Sequence, residues 1–368
     1  MATVYKTFLN NDIKSTRTLL HEAIPLTGAL CSGTYGTFPN ENNIKNYSHG
    51  MFQSVYDYPY LSSSANHIFD LTVGYSNQSQ LSSSTNVQNA KKINMYNQMA
   101  AVLMGYDSSG SIIRFDGDGD IAGTSTDKID DAIFINFSRL LQKDEIKKGS
   151  FSLKLGGDKD FVSANGSLLT ITDSPALTNY KVNGAAGEYG ILTCSAGGAF
   201  SQAGPSGAKA GLIFYQAGVA VLTSSVFQGY DTPATADELR GVLAFPADMV
   251  HATSASISGT LTGSTITVNS DAIRHRIYDM SFNNTTELNS TIHFCRINNN
   301  EFNYSSNPSY LNSSQIVVKN SQLDTPVAYA TTVGLYSADN ELLAVAKLSE
   351  PLKKDPTNEM IVRVRLDY

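Results

Sequence analysis

In four runs of its last hundred residues the chain alternates apolar and polar side chains with a period of two, the pattern of a sheet with one buried face. The runs are Thr291-Ile-His-Phe-Cys-Arg-Ile, Ala328-Tyr-Ala-Thr-Thr-Val-Gly-Leu-Tyr, Leu342-Leu-Ala-Val-Ala-Lys-Leu and Met360-Ile-Val-Arg-Val-Arg-Leu-Asp-Tyr368. Ser337-Ala-Asp-Asn supplies a turn between the second and third. The last run reads as an edge-like strand, with Lys353, Lys354, Arg363 and Arg365 discouraging indiscriminate pairing.

The same texture extends upstream to Ser150. Phe151-Ser-Leu-Lys-Leu and Leu168-Leu-Thr-Ile-Thr alternate, Gly211 to Leu222 reads as two strands around Ala217-Gly218, and Ser254 to Val268 returns to alternation. A short helix is expected near Ala236 to Leu243. Helical spacing is clearest at Asn89 to Gly105, where Ile93, Tyr96, Ala100, Leu103 and Met104 share a face and Gly105 offers a stop. A second helix is predicted from Thr126 or Asp127 through Ile129, Ile133, Phe137, Leu140 and Leu141, with the lysines of its tail favouring the helix dipole. A third spans about Ala272 to Met280. These readings predict a β-rich α+β fold: a mixed body with a few helices, built from residues 1–148 and 271–368, and an inserted all-β, sandwich-like domain at 149–270. No tandem repeat of fixed period argues for a solenoid.

Charged residues make up only 16% of the 368, against about 25% in ordinary globular chains. Ser, Asn, Thr and Gly must therefore cover much of the surface, as in Ser76 to Asn89 and Asn298 to Ser314, which suits wide contacts between identical copies. With 26 basic against 33 acidic residues and no long basic run, binding of nucleic acid by phosphate neutralisation is disfavoured. The nearest basic patch, Lys6, Lys14 and Arg17, is expected to belong to an arm that grips a neighbouring subunit. Cys31, Cys194 and Cys295 are too dispersed for a disulfide framework and read as reduced, partly buried residues. No secretory signal or membrane-length apolar run is found, so residence in a cytoplasm until assembly is expected, without a membrane partner.

Asp116-Gly-Asp-Gly-Asp120 carries carboxylates at alternating positions, as a hard cation requires. An EF-hand would have Gly where Ile121 stands and Glu where Asp127 stands, so Asp116, Asp118 and Asp120 fit an acidic turn better than a cation loop. The six histidines share no helical spacing, and His21-Glu22 is followed by Pro25 where a zinc protease would place its second ligand. Scattered satisfied or exposed histidines are the expectation, with a pH-sensing interface role for His275, between Arg274 and Arg276, as the minor alternative. Phosphate-cradling glycine loops and the hydrolase nucleophile elbow do not occur. A pair of carboxylates brought together by the fold is the one form in which an enzyme survives. No catalytic, cofactor-binding or metal-ligating residue is assigned, and no cofactor is implied. The 19 tyrosines and 16 phenylalanines concentrate instead at Tyr47 to Tyr60 and at Phe302-Asn-Tyr-Ser-Ser-Asn-Pro-Ser-Tyr310, segments suited to protein contact or to sugar stacking.

At these segments a resemblance emerges. Met51-Phe-Gln-Ser-Val-Tyr-Asp-Tyr-Pro-Tyr-Leu-Ser-Ser-Ser-Ala-Asn-His-Ile-Phe-Asp, Lys92-Ile-Asn-Met-Tyr-Asn-Gln-Met-Ala, Glu301-Phe-Asn-Tyr-Ser-Ser-Asn-Pro and Thr332-Val-Gly-Leu-Tyr-Ser-Ala-Asp-Asn-Glu-Leu-Leu-Ala-Val-Ala-Lys-Leu together resemble virion structural proteins of marine and cyanobacterial T4-like tailed phages (myophages). The resemblance covers both ends of the chain and implies a non-enzymatic, multi-copy assembly protein of the tail, baseplate or neck. Its partners would be copies of itself and other virion proteins, and its location the virion. The aromatic segments keep a host-surface glycan, or attachment of a fibre, as the alternative.

Overall fold

The structure, a computed structural model, describes residues 5–25, 41–117, 119, 128–156, 168–196, 209–227, 257–274, 277–305, 307–313, 315–321 and 323–368. The fold is β-rich, with one large antiparallel sheet of 14 strands and a few helices. Its strand order is Ile13–Pro25, Ile277–Ile297, Ser152–Gly156, Leu168–Thr172, Gly187–Ala196, Lys209–Phe214, Val219–Thr223, Asp131–Phe137, His67–Tyr75, Gln53–Tyr56 and Ile44–Asn46. Met360–Asp367 and Glu145–Ile146 pair with the 277–297 strand, and Lys181–Asn183 with the 187–196 strand. The chain divides into two compact units, Met1–Leu19 with Glu287–Tyr368, and Leu20–Thr286.

The larger unit is organised around Asp131-Ala-Ile-Phe-Ile-Asn-Phe137, a central strand whose apolar residues are buried on both faces. Ile133, Ile135 and Phe137 pack with Leu71, Val73, Ala220 and Leu222, and with Leu261, Ile266 and Ile273 from helices Ile257–Gly263 and Ile266–Arg274. The alternate residues Ala132 and Phe134 pack with Val219, Val221, Leu212 and Phe214, and with Tyr96, Ala100 and Leu103 of helix Asn89–Leu103. That helix approaches the 67–75 strand at Gly74, where an added Cβ would lie 2.7 Å from the Lys92 carbonyl oxygen and 2.9 Å from the Tyr96 nitrogen.

The predicted 89–105 helix is observed, ending before Gly105 at φ +85°. Its buried face runs through Lys92, Met95, Tyr96, Ala100 and Leu103, so Ile93 is only half-buried. The helix expected from 126 to 141 is instead the 131–137 strand followed by a single turn, Arg139–Gln142; Thr126 and Asp127 lie outside the described residues. A spacing of four satisfies a strand as well as a helix, and an apolar run buried on both sides carries no alternation to separate them. The helix expected at 272–280 begins earlier, as Ile266–Arg274, and Ile277 already starts a strand. Conversely, the strands expected between 254 and 268 are helical from Ile257, because packing of Leu261 and Ile266 into the core outweighs the β preference of the threonines. The helix expected at 236–243 falls outside the described residues. The strands at 152–156, 168–172, 209–214 and 219–223 are present, but they run within the same large sheet, where 152–156 pairs with the 277–297 strand and 219–223 with 131–137, and no separate sandwich stands among the described residues.

In the smaller unit, Ala328–Tyr336 and Leu342–Lys354 form the expected hairpin, turned by Ser337, whose Oγ accepts the Asp339 and Glu341 N–H groups, and by Asn340 at φ +63°. Met360–Asp367 pairs with the 290–297 part of the long strand. The buried cluster here consists of Leu335, Val362 and Val364, bordered by Phe8, Cys295, Val333, Ala344, Leu348 and Leu366.

Candidate assembly surface

A unit with so small a core leaves large apolar side chains in water. On the hairpin the inward face carries Val333, Leu335, Ala344 and Leu348. The opposite face carries Gly334, Tyr336, Leu342 and Val345, with Gly334 paired to Val345 and Tyr336 to Leu342. Leu342, Leu343, Val345 and Tyr336 are exposed. Tyr336 and Leu342 lean over Gly334, where a Cβ would lie 2.9 Å from the tyrosine ring, and the Tyr5 ring stands 4.8 Å from that of Tyr336. Covering a bare glycine with a neighbouring aromatic keeps the face continuous.

The aromatic segment at 302–310 is held from below. Lys354, expected to guard an edge, is buried; its Nζ donates to the Asn299 carbonyl at 3.0 Å, to Asn303 Oδ1 at 2.6 Å and to the Asp355 carbonyl at 2.8 Å. Tyr310 donates its hydroxyl to the Val327 carbonyl and packs edge-on against Tyr304 at 4.8 Å. The loop thus holds Phe302, at φ +55°, and Tyr304 exposed. Of the other expected edge guards, Lys353 pairs with Asp355 at 3.0 Å and Arg365 with Asp367 at 2.6 Å, and Arg363 is exposed.

In the larger unit Tyr47, His49 and Phe52 form an aromatic triangle with centroids 4.8–5.1 Å apart, and Lys45 lies over the Tyr47 ring. Tyr58, Tyr60 and Leu61 are exposed beyond it. Beside them, Ser54 Oγ donates to Asp70 Oδ1 at 2.5 Å, and His67 Nε2 lies 2.8 Å from the same oxygen. The serine hydroxyl and the imidazole thus meet on one carboxylate oxygen.

Two of the three N-terminal basic residues, Lys6 and Arg17, are engaged within the chain, and Lys14 is exposed. Lys6 pairs with Glu301 at 2.5 Å and Arg17 with Glu287, while Arg296 reaches Asp12 at 2.5 Å. The described part of the arm continues as the 13–25 strand on the sheet, exposed from Ile13 to Ala23. Asp116 is buried and ion-paired to Lys128 at 2.5 Å; Asp118 and Asp120 lie outside the described residues. Among the described residues no group of three or more His, Cys, Asp or Glu could hold a metal ion.

His21 Nδ1 lies 3.1 Å from Thr285 Oγ1, and His293 packs on Phe8; His251 and His275 are outside the described residues. Cys194 and Cys295 are free thiols, and burial pushes that of Cys194 up to about 12; Cys31 is outside the described residues. Among the described residues no helix is long and apolar enough to cross a membrane, which says nothing of a barrel.

Sequence reasoning missed the buried Lys92, whose Nζ donates to the carbonyls of Val87 at 2.7 Å, Leu261 at 2.5 Å and Ser264 at 2.7 Å. Burial pulls it down to about 8. Its place one turn before Tyr96 was the available signal.

No family model matches this chain, and no curated protein or solved structure matches it either.

Proposed function

We propose that this chain is a non-enzymatic structural assembly protein of a tailed-phage virion, a multi-copy component of the tail, baseplate or neck whose partners are copies of itself and other virion proteins. Its work is adhesion: burial of interface area, repeated around a symmetry axis, adds many weak contacts into one stable ring. The observation that carries this reading is the hairpin of the smaller unit, which keeps Leu342, Leu343 and Val345 in water above a cluster of three buried side chains. The resemblance at 51–70, 92–100, 301–308 and 332–348 supplies the particle. Within it, residues 149–270 are an insertion in chain order, carried on the body's own sheet. The proposal assigns no catalytic residue, cofactor or metal, and no nucleic-acid or membrane partner.

Quantitative mass spectrometry of purified particles tests it. Several copies per particle, in a fixed ratio to other tail proteins, are expected; absence from particles would remove the proposal. A second reading, binding of a host-surface glycan, draws on the exposed aromatics Tyr58, Tyr60, Phe302 and Tyr304. A glycan array separates the two, since binding there that is lost on replacing Tyr304 favours the second.

A further inference from the structure

We propose that the outward face of the 328–354 hairpin is a two-fold contact with a second copy of this chain. The inference rests on the assembly reading and names its partner and its surface. Tyr5, Tyr336, Leu342, Leu343 and Val345 are 43%, 44%, 54%, 68% and 64% exposed, which leaves on the order of 500 Å² of apolar surface in water, near the upper end of what a monomer keeps. Two such faces together approach the roughly 1,000 Å² that a specific interface requires.

The charges around the patch make it self-complementary. Asp339 and Glu341 stand exposed at its turn end, and Lys347 stands exposed at the other, about 20 Å along the strand from Glu341. When two hairpins lie face to face and antiparallel, the acidic turn of each meets Lys347 of the other, and the contact is made twice. Edge-to-edge pairing is a poorer solution. Between the pairs Ala330–Leu352 and Thr332–Lys347, residues 348–351 bulge out of the ladder, and Pro351 among them has no N–H to donate.

Sedimentation velocity on the full-length chain of 39.6 kDa tests the surface. The wild type is expected to populate twice that mass, and Val345→Lys to raise the dissociation constant at least about tenfold with its melting temperature unchanged, since the side chain is exposed. Lys347→Glu should also weaken the dimer, and adding Asp339→Lys and Glu341→Lys to it should restore association. An oligomer untouched by both Val345→Lys and Lys347→Glu overturns this surface. A wild type that stays monomeric at about 100 μM overturns it as well. The assembly reading is judged separately, by copy number in particles.

Discussion

Lys354 Nζ lies 2.6 Å from Asn303 Oδ1, so the last residue of the hairpin holds the loop that displays Phe302 and Tyr304. A strand end is thereby converted into the floor of an aromatic surface.

Replacing Lys354 by Met keeps the aliphatic stem and removes the three bonds to Asn299, Asn303 and Asp355. A loss of about 2 kcal/mol is expected from the acceptors left unpaired. Limited proteolysis should show new cleavage between 299 and 310 before any within 131–137.

Gly74→Ala should destabilise the larger unit by about 1–3 kcal/mol, because its Cβ meets helix backbone that no rotamer change can move aside. Thermal melting read by circular dichroism checks this, and a variant within a degree of wild type would contradict the close approach.

Lys92→Met should cost about 2–4 kcal/mol, since the carbonyls of Val87, Leu261 and Ser264 lose a common donor in a buried site. Denaturant titration measures the change. Hydrogen exchange should locate it at 257–264.

Much of this architecture was legible and some of it was not, for reasons particular to the residues. The hairpin at 328–354 could be seen because one face is wet: alternation survives where one side of a strand meets water. The 131–137 strand was hidden because it is buried on both sides, and the 257–274 helices because their Thr and Ser residues imitate alternation. Lys92 was passed over because a lysine on a helix is ordinarily solvated, and this one becomes intelligible only when the 257–263 helix and the residue after it, far away in sequence, bring the Leu261 and Ser264 carbonyls within reach. The aromatic segments were visible, whereas the buried cation beneath one of them was not.

Acid should loosen the smaller unit and act in the opposite sense at two buried sites of the larger. In the smaller, Asp12 is held below the ordinary carboxylate range by the Leu9 amide and then Arg296, Glu301 by Lys6, Asp367 by the Ser290 hydroxyl and then Arg365, and Asp355 by the Thr357 hydroxyl and then Lys353. Their contribution is complete above the ordinary carboxyl values of 3.8 and 4.5 and is lost as pH falls through the lower folded values. In the larger, burial raises Asp131 and Asp173, so the folded chain takes up protons before the unfolded chain does, and falling pH favours the fold at these two sites. Hydrogen exchange from about pH 5 to about pH 3 should therefore accelerate in 287–368 before it does in 131–137 or 168–173.

On the proposed reading this molecule acts by adhering to its neighbours. A reconstruction of purified particles at side-chain resolution tests it most directly: the account predicts several symmetry-related copies, with Tyr336, Leu342 and Val345 buried against protein. Particles without density for this chain, or copies whose hairpin faces only solvent, would contradict it.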